Sequence, residues 1–193
     1  NTTTNDGGAI AGGILGLTFE SNLGEIRFES NHAGKYGGAI SGRNGNEFTF
    51  KDNNNIIFLK NQTTNTDDSF RNTVAQGGAI FTYGTVKFDG NNQVVFTGNN
   101  SQSAGAIYAA SLSITNTKEE VSFTDNNATG EFWSPENAHG GALYIHYDNG
   151  FFHFDITNNA SVVFENNTAT GSGGAIALHG LNYANQIPVF QGN

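Results

Sequence analysis

His146 and His179 come closest to the start of a metal site, because each stands four residues beyond the alanine of a repeated Gly-Gly-Ala segment, Ala142 and Ala175. In a stacked repeat their imidazoles would occupy neighbouring rungs of one face, and imidazole nitrogens are common ligands of Zn2+. The equivalent positions Gly13, Arg43, Tyr83 and Ala110 continue no ligand column. Two imidazoles leave a tetrahedral ion half-coordinated, so a stacked surface pair is expected and neither a metal nor a cofactor is. The Gly-Gly-x-Gly-x-Asp repeat of calcium-bound β-rolls does not occur.

Hydrolytic chemistry on sugars needs paired carboxylates on one face. Here they are scattered: Glu20 and Glu29 at outward positions, Glu119 and Glu120 beside a strand, Asp148 in the turn-like Asp148-Asn149-Gly150. There is no cysteine thiol and no serine in a nucleophile-elbow pattern. The sequence predicts no enzyme, with a carbohydrate-active chain as the remote alternative. Binding has better candidates. Between Asn61 and the next Gly-Gly-Ala lies an insertion, Gln62 to Gln76, with Phe70 and Arg71; after Asn126 lies another, Asn127 to His139, with Phe132 and Trp133. Aromatic residues and arginine are the types that most often dominate protein interfaces, so Phe70, Arg71, Phe132 and Trp133 are expected to contact a partner.

The elements that carry these residues follow from composition and repeats. Among 193 residues there are 26 Gly and 28 Asn against 2 Pro, a balance that disfavours long helices and favours short elements joined by turns. A net charge of −9, with no basic cluster, excludes nucleic acid as a partner. No stretch is apolar for the roughly 18 residues of a membrane span, so no membrane insertion by these residues is expected. With no signal peptide and no initiator methionine, the chain reads as a piece of a longer precursor.

Two motifs recur along all of it. The first is Gly7-Gly8-Ala9-Ile10, repeated as Gly37-Gly38-Ala39-Ile40, Gly77-Gly78-Ala79-Ile80, Ala104-Gly105-Ala106-Ile107, Gly140-Gly141-Ala142-Leu143 and Gly173-Gly174-Ala175-Ile176. The second is Phe-x-x-Asn, running from Phe19 to Asn22, Phe28 to Asn31, Phe50 to Asn53, Phe58 to Asn61, Phe88 to Asn91, Phe96 to Asn99, Phe123 to Asn126, Phe164 to Asn167 and Phe190 to Asn193. One Gly-Gly-Ala segment followed by two phenylalanine segments gives three short β-prone elements per unit, which suits one coil of a three-sided parallel β-helix. Residues 1–193 are therefore expected to form a single all-β solenoid of about six coils. Coils stacked about 4.8 Å apart would lay phenylalanine on phenylalanine in two columns. Asparagine three residues later is expected to take the left-handed turn and to hydrogen-bond along the axis. The paired glycines supply corner dihedrals and let alanine approach the phenylalanines.

The alternation of these motifs is similar to the repeat signature of the chlamydial polymorphic membrane proteins, an autotransporter family, and covers nearly the whole chain. The resemblance implies a right-handed β-helical passenger domain on the bacterial surface, attached to the outer membrane or secreted. In the precursor it would be followed by a membrane β-barrel. It also implies adhesion to a host cell-surface receptor, a part for both motifs in that adhesion, and self-association. Two units depart from the pattern: the fourth has Ala104 for the first glycine and Ile114-Thr115-Asn116-Thr117 for a phenylalanine segment, and the fifth has Phe154-Asp155-Ile156-Thr157, read as lacking its asparagine. A stalk that only spaces a distal binding region is the alternative.

Overall fold

The computed structural model describes residues 1–13, 16–65, 74–130, 138–146 and 153–179, with 189–191 described for the backbone alone. On the two phenylalanine sides the strands of the second and third coils alternate, as extended chain does when one face is buried. Phe48 and Phe50, Ile56 and Phe58, Val86 and Phe88, and Val94 and Phe96 point inward as i, i+2 pairs, each at most 3% exposed. Thr49, Ile57, Lys87 and Val95 stand between them on the outside.

Every pairing is parallel and joins one repeat to the next. The Gly-Gly-Ala segments stack as Ile10–Gly12, Ile40–Gly42, Ile80–Thr82, Ile107–Ala109, Leu143–His146 and Ile176–His179. The first phenylalanine side stacks Gly16–Glu20, Glu47–Lys51, Thr85–Asp89, Ser111–Thr115, Phe154–Thr157 and Val189–Gln191. The second stacks Glu25–Glu29, Asn55–Leu59, Gln93–Thr97, Glu120–Thr124 and Val162–Glu165. This is a three-sided parallel β-helix with one addition. The two residues after the second asparagine pair as well, His32–Ala33, Gln62–Thr63, Asn100–Ser101, Asn127–Ala128 and Thr168–Ala169, and make a short fourth sheet at one corner. Two residues are too few to show a period, so no sequence signal announces that side.

The phenylalanine columns form as expected. Along the second side, Phe28, Phe58, Phe96, Phe123 and Phe164 stack with centroids 4.9, 4.6, 4.9 and 5.0 Å apart. Along the first, Phe19, Phe50 and Phe88 stack at 5.1 and 4.8 Å. The columns meet edge to face at 6.0, 5.9 and 5.8 Å, the arrangement that the ring quadrupole favours. Ala39, Ala79, Ala106 and Ala142 are fully buried in the same core.

The asparagines also run up the axis, though they do not take the left-handed turn. Positive φ falls one residue earlier, at Ser21, Ser30, Asp52, Lys60, Asn116, Asp125, Asn158 and Asn166. The motif asparagine is instead an axial brace. Asn99 Nδ2 donates to Phe58 O of the coil below at 3.0 Å and to Asn126 Oδ1 of the coil above at 2.9 Å. Its own Oδ1 accepts from the backbone N and the Nδ2 of Asn61, each at 3.0 Å. A side chain with two donors and two acceptor sites is thereby saturated while fully buried. The ladder runs Asn1, Asn31, Asn61, Asn99, Asn126, Asn167 on the second side and Asn22, Asn53, Asn91 on the first.

The two glycines of each pair do different jobs. The first takes the left-handed corner, at φ 67° in Gly77. The second lies against the next coil: a Cβ on Gly78 would come within 2.0 Å of Gly105 O, a contact no side chain can make.

Register corrects the reading of the fifth unit. Phe154 lies opposite Leu112, and it is Ile156 that stands level with Ile114 and with the backbone of Phe190. The segment therefore ends on Asn159, whose Nδ2 donates to Ile114 O at 3.1 Å. Both Phe154 and Ile156 point inward, so only strand pairing decides which one occupies the column.

Candidate functional site

In a solenoid the inner positions are spent on the core, and binding falls to outer faces and insertions. Phe70, Arg71, Phe132 and Trp133 lie outside the described residues, as do Asp148 and Asn193. The described flanks do place both insertions at the corner between the short sheet and the Gly-Gly-Ala sheet: residues 64–65 and 129–130 follow equivalent strands two coils apart. That separation is about 10 Å along the axis.

The Gly-Gly-Ala sheet beside this corner carries a feature that the repeat motifs conceal. One residue after the motif Ile or Leu points outward, and in the middle coils it is Phe81, Tyr108 and Tyr144. Tyr36 stacks on Phe81 at 4.4 Å, Phe81 meets Tyr108 at 5.1 Å, and Tyr108 meets Tyr144 at 5.3 Å. Tyr83 packs edge-on against Phe81 at 4.9 Å and stays 47% exposed. A line of rings thus runs along the far side of the sheet from the phenylalanine core and forms a second, smaller apolar cluster in which Phe81, Tyr108 and Tyr144 are themselves buried.

Charged and titratable groups finish both ends of the line. At one end the Arg43 guanidinium lies 4.6 Å above the Tyr36 ring and pairs with Asp6 at 2.8 Å, a cation–π contact with an ionic anchor. Burial raises the Tyr36 phenol above its ordinary value, the neighbouring Tyr83 adds to the rise, and Arg43 opposes it. At the other end, His146 and His179 pair in register and stack at 4.9 Å, as their spacing predicts. A third imidazole, absent from the repeat spacing, joins them: His139, which immediately precedes Gly140, lies 4.9 Å from the Tyr144 ring. Burial, reinforced by the charge of His179, holds the His139 imidazole below its ordinary value. Among the described residues no three His, Asp or Glu side chains converge as metal ligands.

The signal for this face is present in the sequence as Gly-Gly-Ala-Ile-Phe, Ala-Gly-Ala-Ile-Tyr and Gly-Gly-Ala-Leu-Tyr, with the ring in the position directly after the motif. Several of the carboxylates are held in ion pairs. Glu47 meets Lys87 at 2.8 Å, Glu20 meets Lys51 at 3.1 Å and Glu29 meets Arg27 at 2.7 Å. The hydrogen bond from Lys87 holds the Glu47 carboxyl below the usual range, and that from Arg27 does the same for Glu29.

Comparison with known proteins gives a consistent picture. The Chlamydia polymorphic membrane protein repeat matches residues 25–43 and 161–178. The chain is 33% identical over 191 residues to the probable outer membrane protein PmpF of Chlamydia trachomatis, covering 96% of this chain and 18% of that protein. It is 30% identical over 145 residues to the probable outer membrane protein pmp19 of Chlamydia pneumoniae, covering 72% of this chain and 14% of that one. It is 31% identical over 176 residues to the probable outer membrane protein PmpE of Chlamydia trachomatis, covering 89% and 17%. The chain thus spans less than a fifth of the length of these relatives. No solved structure matches it.

Proposed function

From the premise that this chain belongs to the polymorphic membrane protein family of Chlamydia, we propose that it is a surface-displayed segment of an outer membrane adhesin that binds a host cell-surface protein. The observation that carries the reading is Tyr83, a ring left 47% exposed on the outer Gly-Gly-Ala sheet and packed edge-on against the buried rings of Phe81 and Tyr108, with the Arg43 guanidinium over Tyr36 on the same face. The buried rings beneath Tyr83 form a second apolar cluster, apart from the two phenylalanine columns, that holds it in place. Tyrosine and arginine anchors beside it are the side chains that concentrate binding energy at interfaces. The described flanks of the insertions that carry Phe70, Arg71, Phe132 and Trp133 lie at the edge of the same face. No residue on this face is assigned a catalytic part.

The test is attachment of beads coated with the folded chain to epithelial cells. Tyr83→Ser with Arg43→Ala should cut attachment at least about tenfold, the effect of losing a hot spot. Phe70, Phe132 and Trp133 together replaced by Ser should lower it further. Beads that never attach while circular dichroism shows a folded β-helix would favour the stalk.

A further inference from the structure

The fourth coil carries most of the irregularities of the repeat. In the fourth, Ala104 takes the corner that glycine takes elsewhere and is held at φ 60°, a conformation unfavourable for any residue with a Cβ. On the first phenylalanine side, Ile114 stands opposite Phe88 and Ile156, so the ring stack that began at Phe19 stops at Phe88. Three residues on, Thr117 replaces the ladder asparagine. It is 2% exposed, and its Oγ1 is buried without a hydrogen-bond partner. Its backbone N still donates to Asn159 Oδ1 at 3.0 Å, but no amide side chain passes the ladder down to Asn91.

The second side of the same coil is uninterrupted. Phe123 is stacked between Phe96 and Phe164, and Asn126 donates to Asn167 Oδ1 at 3.0 Å while accepting from Asn99 at 2.9 Å. One coil is therefore braced along one edge and only packed along the other. Ordinary apolar burial persists there, with Leu112, Ile114 and Ile156 all at 0% exposure. What is missing is the directional part of the cohesion, the stacked rings and the saturated amides.

We propose that the fourth coil is a hinge: its first phenylalanine side opens locally between residues 88 and 156 while its second side stays closed, letting the solenoid splay without unfolding. Local opening of this kind is drawn from the least braced elements of a fold. In a surface protein it would let the coils on either side change their angle under load and then reclose on the intact ladder.

Native-state hydrogen exchange on the whole chain tests this directly. Amides of Ser111–Thr115 should exchange about tenfold faster than those of Glu120–Thr124 in the same coil, as expected where about one side-chain hydrogen bond of stability is absent. Thr117→Asn restores the ladder and should bring the two strands close to parity. Asn126→Thr interrupts the second ladder and should speed exchange in Glu120–Thr124 by a similar factor. Equal protection of the two strands in the unaltered chain overturns the proposal, as does a folded Thr117→Asn chain that exchanges as before. Should Thr117→Asn fail to fold, the unaltered comparison and Asn126→Thr decide the matter.

Discussion

The two phenylalanine sides are made from one motif and end up with different continuity. On the second, ring and amide pass through every described coil; on the first, both stop after three coils, at Phe88 and Asn91. Register nevertheless continues on both, with Phe88 opposite Ile114 and Ile114 opposite Ile156. One unbroken ladder per coil is thus enough to hold the winding, and the other side is free to vary. Repeat proteins distribute stability over nearest-neighbour interfaces, so a gap on one side weakens two interfaces and leaves the rest unaffected.

Large-to-small substitutions should separate the sides most clearly. Phe96 is stacked above and below, whereas Phe88 is stacked on one side and meets Ile114 on the other. Phe96→Ala should lower unfolding stability by about 4–5 kcal/mol and Phe88→Ala by about 3, the two ends of the range for buried phenylalanine. Urea unfolding measures both; a larger loss for Phe88→Ala would break the comparison.

The asparagines come next. Asn99→Ala removes two donated and two accepted side-chain bonds, while Asn91→Ala removes one donated bond, to Phe50 O at 2.8 Å, and two accepted from Asn53. The expected losses are about 3 and about 2 kcal/mol, because each unpaired buried group retains its desolvation cost. Thermal melts of the pair would sharpen the contrast, and equal shifts would remove it.

The smallest effect concerns the Gly-Gly-Ala side and serves as a control on the other two. His139 is held below the ordinary imidazole value of 6.5, mainly by burial. Below pH 6.5 the unfolded chain therefore binds this proton more readily than the folded chain, and the His139 contribution to stability, complete above 6.5, is lost as pH falls. His139→Gln should flatten that part of the stability profile between pH 7 and pH 5, measured by chemical unfolding at several pH values. An unchanged slope would mean that other groups set it.

Much of the fold was legible because the same side chain recurs at the same place in every unit. Phe28, Phe58 and Phe96 each precede an asparagine by three residues, and stacking coils then leaves them little choice but to touch. Asn61 and Asn99 were legible for the same reason, although the left-handed residue proved to be the one before them, where Ser, Asp, Asn, Lys and Gly all occur. Phe154 was misassigned because two inward residues two apart satisfy the same alternation. The aromatic outer face was the least visible: Tyr36, Phe81 and His139 belong to no shared motif, and their neighbours lie a full coil away in the chain.

By itself the sequence determined the coil, its three principal sides and the identity of its core columns, since these follow from periodic residues whose only stable burial is against their own copies. The tertiary structure decided what lies between copies: the short fourth side, the restored asparagine at Asn159, the unpartnered Thr117 hydroxyl and the line of rings from Tyr36 to Tyr144. Each of these depends on which residues of successive coils come level. That is fixed by strand register across 27 to 45 residues of chain, a separation at which local pattern carries no information.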